Sequence, residues 1–217
     1  LAGLLACLVL VAGHAYIVPA AAGAYHDDGI YLATAKALAE GQGYTLINLP
    51  GLPPQTKYPV LYPAILAAAW TLLPQFPDNL VFLKSISLVC CALAVGLSYL
   101  FVVRFGYAAR AVAVGGCLLA ATSPPFLYFG GLTMSEPAFA VLVVLSLWCM
   151  EQTLGQDAPA KPSRLFLLGL AAGLPFLCRT NGLMLAVAGA VLVWKRGRSL
   201  IWYGLVAAVM VLGWDAW

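Results

Sequence analysis

NLVFLKSISLVCCALAVGLSYLFVV, residues 79–103, reads as a helix that crosses a bilayer, which takes roughly 17–25 mostly apolar residues. Comparable runs flank it at about 1–19, 109–128, 137–153, 165–178, 182–194 and 199–217. The spacing therefore predicts an all-α, polytopic transmembrane helical bundle with about seven spans. Hydrophobic residues make up 63% of the 217 and charged residues only 9%, and the mean hydropathy is +0.95. A soluble domain of this length could not hide so much apolar surface, whereas a bilayer accepts it and helices satisfy the backbone. The net charge is +3, with the basic residues scattered through loops, which argues against nucleic acid as a partner.

The charges give the spans a direction. Of eleven Lys and Arg residues, seven fall in three short loops on one side: Arg104 and Arg110, Lys161 and Arg164, then Lys195, Arg196 and Arg198. The positive-inside rule makes that side cytoplasmic. The acids Asp27, Asp28, Glu40, Asp78, Glu136 and Asp215 fall on or near the opposite face. The chain starts at Leu1 and ends at Trp217 in an apolar run, so both ends read as cut. The first run lacks a clear small-x-small cleavage site and reads as an uncleaved helix. The six cysteines lie in or beside apolar runs, without a CxxC pair, and read as buried, inert thiols.

The segment 20–78 is long for a membrane-protein connector, and such connectors are usually functional. Over residues 29–40, Ile30, Tyr31, Ala35, Leu38 and Ala39 recur on a helical period, and Gly41 and Gly43 then stop the helix. A second helix is expected at about 60–73. With Tyr44, Tyr58, Tyr62 and Trp70 at headgroup level, both helices are expected to lie in the membrane interface, within the first outer loop. Further along, Gly169-x-x-x-Gly173 favours close helix packing. The polar break Arg179-Thr180-Asn181-Gly182 separates two short apolar runs, as a tight hairpin or a broken helix would.

Asp27 and Asp28 are the sharpest chemical signal. One carboxylate suffices to cap a helix, no Glu or Gln follows to complete a capping box, and adjacent acids repel unless something compensates. A carboxylate facing a hydroxyl substrate is a natural general base. Glu136, in Leu132-Thr133-Met134-Ser135-Glu136-Pro137, returns to the same face, although Ser135 or Glu136 before Pro137 is also good helix-start chemistry. Lys57, in Gln55-Thr56-Lys57-Tyr58-Pro59, is either a lysine snorkelling to lipid headgroups or a cation for a phosphate leaving group. Arg179 between two apolar runs calls for an anionic partner. His14 reads as a helix contact. His26 stands beside the acid pair, but a lone His with carboxylates is weak evidence for a metal.

An acid pair in the first outer loop, an interfacial helix, a Lys-x-Pro step and a Ser-Glu in the second outer loop together resemble the GT-C superfamily of polytopic glycosyltransferases. The nearest likeness is to its protein O-mannosyltransferase and aminoarabinose-transferase-like branch, with residues 1–217 as the N-terminal part of the family's membrane domain. The resemblance implies transfer of a sugar from a polyprenyl-phosphate carrier to a lipid, glycan or protein acceptor on the outer face of a cell membrane. On that resemblance Asp27 would be the base and Asp28 its catalytic partner. Lys57 would neutralise the phosphate, and Tyr58, Glu136 and Arg179 would line the substrate site. Tyr58 stands where the family's motif has a proline, and Thr56 where some members have an acid. The departure at Thr56 removes a possible metal ligand, so no metal or other cofactor is expected; a divalent ion shared by Glu136 and the acid pair is the minority alternative. A transporter or flippase-like protein for a lipid-linked sugar is the competing reading. Such proteins usually place their ionisable groups at the membrane midplane rather than at one face.

Overall fold

The computed structural model describes residues 1–155, 161–197 and 199–217. Arg198, used above to orient the chain, and the middle of the 154–164 loop lie outside the described residues. The order is α1 (Ala2–His14), α2 (His26–Ala39), α3 (Leu61–Leu72), α4 (Leu80–Arg104), α5 (Arg110–Ala121), α6 (Pro124–Gly130), α7 (Ser135–Leu154) and α8 (Pro162–Cys178). A 3-10 turn (Thr180–Gly182), α9 (Leu183–Lys195) and α10 (Leu200–Asp215) complete it. The described residues hold no strand. Connector 44–55 doubles back through Gln55 N to Tyr44 O at 2.9 Å and Leu46 N to Pro53 O at 2.9 Å, with a single bridge between Thr45 and Pro54.

The all-helical reading holds, but the number of spans visible by length is smaller than seven. Among the described residues α4 and α7 are long and apolar enough to cross a membrane, and the pair α5–α6 makes a third if it is one broken span. Helices rise 1.5 Å per residue, so the 25 residues of α4 reach about 38 Å, beyond a hydrocarbon core of roughly 30 Å. The 13 residues of α1 reach only about 20 Å. The run expected at 109–128 is bent by 62° between α5 and α6. Pro124 and Pro125 open α6 and cannot donate amide hydrogen bonds to the end of α5, so the bend falls there.

Two units, Leu1–Val141 and Leu142–Trp217, each have their own packing. In the first, α1 lies along α4. Leu5 and Val9 pack with Leu88, Cys91, Ala92 and Val95, and Ala121 and Leu127 of α5 and α6 close the cluster. Helix α2 packs on α3, where the Tyr31 and Tyr62 rings meet; Ile30, Thr34 and Ala35 of α2 and Leu66 and Trp70 of α3 are buried as well.

In the second unit α8 packs on α10 and α9. Leu165, Leu168, Ala172, Ala186, Val193, Tyr203 and Ala207 form the core. The close helix approach expected at Gly169 and Gly173 is present: a Cβ on Gly169 would sit 2.4 Å from the Tyr203 carbonyl oxygen, so only glycine lets α10 come this near. On α10 Ile201, Leu205, Val209 and Leu212 form an exposed apolar stripe, a face suited to lipid. Cys91 and Cys178 are buried, whereas Cys7, expected to be buried, is exposed on α1.

Candidate functional site

Helix α2 begins at His26, three residues before the sequence placed it, and this start decides what the acid pair does. Asp28 falls at the third helical position, where a capping carboxylate belongs, so the box that seemed to lack its acid is completed by Asp28 itself. Its Oδ1 accepts from the Tyr25 amide at 2.9 Å and its Oδ2 from the Ala24 amide at 3.1 Å. The residue is 1% exposed. A buried carboxylate is costly unless its oxygens are hydrogen-bonded, and both of these are.

Asp27, one residue earlier, turns another way and is only partly buried. Its Oδ1 accepts a short hydrogen bond from the Tyr58 hydroxyl. Tyr58 comes from the α2–α3 connector, whose base is tied down by Tyr44: that hydroxyl donates to the Tyr58 carbonyl at 2.7 Å. Lys57 is exposed, with its Nζ 4.7 Å from the centre of the Tyr58 ring, within cation–π range. Its amide donates to the Gln55 side chain at 2.8 Å.

The structure therefore brings Asp27, Asp28, Lys57 and Tyr58 together. Burial, and then the hydrogen bond to Asp27, push the Tyr58 pKa up, so Tyr58 stays a protonated donor toward the carboxylate at neutral pH. Lys57 also holds its proton more firmly than an ordinary lysine, chiefly through hydrogen bonding with Tyr58, with a smaller contribution from the Asp27 charge. The result is a carboxylate, a phenol and an ammonium on one small surface.

A second layer supports them. Tyr31 meets the Tyr58 ring edge-on at 5.2 Å and the Tyr62 ring at 5.1 Å. Its hydroxyl bonds the Ser135 Oγ at 2.9 Å, which ties α2 to the head of α7. Tyr62 reaches the Ser87 Oγ at 2.7 Å, and Ser87 in turn donates to the Met134 carbonyl at 3.2 Å. Thr133 donates to the Asp28 carbonyl at 3.4 Å. Glu136 sits in the first turn of α7, next to Ser135, with its Oε2 shut off from solvent. Arg179 belongs to the second unit, partly buried at the break between α8 and the 3-10 turn.

Sequence reasoning missed Lys84, which is 0% exposed in α4. Its Nζ donates to the Val18 carbonyl at 2.6 Å and to the Ala21 carbonyl. The available signal was a single lysine inside the apolar run 79–103. Ser87 was likewise legible only as an isolated hydroxyl in an apolar run, while Tyr31 and Ser135 were read as a helix-face residue and a helix start with no sign that they meet.

No three His, Cys, Asp or Glu side chains converge as a metal would require among the described residues. The acid pair is also a poor clamp for one divalent ion, because both Asp28 oxygens are already taken by backbone amides. No protein-family model, no curated protein and no solved structure matches the chain significantly.

Proposed function

We propose that the protein is an integral membrane glycosyltransferase of the GT-C type, which moves a sugar from a polyprenyl-phosphate carrier to a lipid, glycan or protein acceptor. The observation that carries this reading is the Asp27 carboxylate held by the Tyr58 hydroxyl beside the Lys57 ammonium. Tyr58 engages one oxygen of Asp27, and the other is the base for an acceptor hydroxyl. As Asp27 takes the hydroxyl proton, the acceptor oxygen attacks the anomeric carbon. The bond from that carbon to the phosphate oxygen breaks, and the polyprenyl phosphate leaves with the bonding pair. The configuration at the anomeric carbon inverts. Lys57, exposed and firmly protonated, offsets the charge that builds on the leaving phosphate.

In this reading about seven apolar helices cross the membrane, the shorter ones tilted or paired through broken segments. The acid site faces the exterior or periplasm, opposite the basic loops. Helices α2 and α3 lie in the interface. Glu136, in the same unit as the acid site, is the further candidate for the acceptor. A flippase-like reading draws on the bent pair α5–α6 and on the break at Arg179, since transporters often use interrupted helices. The partly open Asp27–Tyr58–Lys57 surface favours chemistry over passage.

The test is Asp27→Asn in full-length protein reconstituted with a panel of polyprenyl-phosphate sugars. Transfer should fall by at least about a hundredfold, in the range for a general base, with unchanged yield and thermal stability of the protein. A well-folded variant that transfers sugar normally would remove Asp27 from the mechanism. Carrier translocation by wild-type protein without any transfer would favour the flippase.

A further inference from the structure

The link between α1 and α2 has an exposed outer surface, with Val18, Pro19, Ala20, Ala22 and Tyr25 all open, yet its backbone is fastened at three places. Lys84 takes the carbonyls of Val18 and Ala21 from the side of α4. Asp28 takes the amides of Ala24 and Tyr25 from the side of α2. Between these points the Gly23 Cα lies against α2, only 3.3 Å from where a Cβ on Gly29 would stand. The strap 18–25 is thus gripped by two buried side chains of opposite chemistry, one supplying donors to its carbonyls and the other acceptors to its amides.

A lysine enclosed in an apolar helix is costly, and a methionine would fill the same space without that cost. Packing therefore does not account for Lys84, while the two carbonyls it satisfies do. The acid that closes the other end of the strap is the residue next to Asp27. We propose that Lys84 is a positioning residue for the acid site, fixing the 18–25 strap so that Asp28 and the first turn of α2 hold Asp27 against Tyr58. The catalytic half of this statement rests on the glycosyltransferase reading; the strap half does not.

The two halves are tested separately on full-length protein in phospholipid nanodiscs. Hydrogen exchange on wild-type protein should show the Ala24 and Tyr25 amides protected despite their exposed surroundings. In Lys84→Met, exchange across residues 18–28 should quicken at least about tenfold, while the peptide covering 88–99 in the α1–α4 core keeps its protection. Lys84→Arg, which keeps the donors, should retain part of the protection. In the transfer assay Lys84→Met should lower kcat about tenfold while the donor KM stays within about twofold, because Lys57 is untouched. Free exchange of the strap in wild-type protein, or an unchanged strap in Lys84→Met, would overturn the proposal. So would a loosened strap with normal kcat. If Lys84→Met does not fold, wild-type exchange and Lys84→Arg decide the matter. If wild-type protein transfers no sugar, the functional reading falls while the exchange result still judges the strap.

Discussion

The N-terminus of α2 holds two carboxylates whose partners differ in kind. Asp28 faces inward and spends both oxygens on backbone amides, whereas Asp27 faces a phenol and a partly open surface. The Tyr58 hydroxyl is then the strongest single determinant of where the Asp27 carboxylate points. Removing one hydrogen bond to a charged group costs about 1.5–3 kcal/mol. Tyr58→Phe is therefore expected to lower transfer about tenfold or more while the ring contact with Tyr31 keeps the fold, as thermal denaturation would check. Undiminished transfer would show that Asp27 needs no orienting partner.

The tyrosines also set an alkaline limit. Burial raises the Tyr44 pKa above its ordinary value of 10.0, and burial followed by Asp27 raises that of Tyr58 above the same value. The folded state thus holds both phenol protons more tightly than the unfolded chain does. The stability they contribute is complete below pH 10.0 and is lost as pH rises beyond it through the folded values. A phenolate absorbance titration of wild-type protein minus Tyr44→Phe should show a step above pH 10.0. A difference step at the ordinary value would mean that the Tyr44 anchor of the connector is absent.

At the level of the element, α2 is closed at both ends by local chemistry. Asp28 supplies the N-terminal cap. At the C-terminus the Gln42 amide reaches back to Ala37 O at 2.9 Å and the Gly41 amide to Leu38 O at 3.2 Å, a Schellman ending that requires the positive φ of Gly41, 72°. The apolar period of residues 29–40 disclosed the helix and its stop. It did not disclose the start, because an acid pair is equally compatible with a cap lying before the helix and with a capping acid inside its first turn. Asp28→Ala removes two charge-assisted bonds and the cap, so it should destabilise the first unit by about 2 kcal/mol. Hydrogen exchange should show the loss first in residues 24–32. An equal loss of protection throughout the chain would argue that Asp28 stabilises more than the α2 terminus.

For the whole molecule, the sidedness of the loops is the arrangement most in need of measurement. Leu49 is 44% exposed in the α2–α3 connector and Tyr107 is 59% exposed between α4 and α5. With the exposed Cys7 replaced, Leu49→Cys in intact cells should react with a membrane-impermeant maleimide. Tyr107→Cys should react only after the membrane is opened. Labelling of both from the same side would break the topology on which the proposed outward-facing site depends.

The sequence by itself determined the helical class and the approximate place of most helices. Apolar runs, glycine stops and prolines act over a few residues and leave their mark in the local pattern. It also marked Asp27, Asp28, Lys57 and Tyr58, because charged and aromatic residues stand out against so apolar a background. Only the tertiary structure decided that Asp27 meets Tyr58 from another segment, that Asp28 is the cap, and that Tyr31 ties α2 to Ser135. The same holds for Lys84, whose partners Val18 and Ala21 are distant in sequence and are backbone carbonyls. A carbonyl carries no residue identity, so no reading of side chains along the chain reveals which one a buried lysine will find.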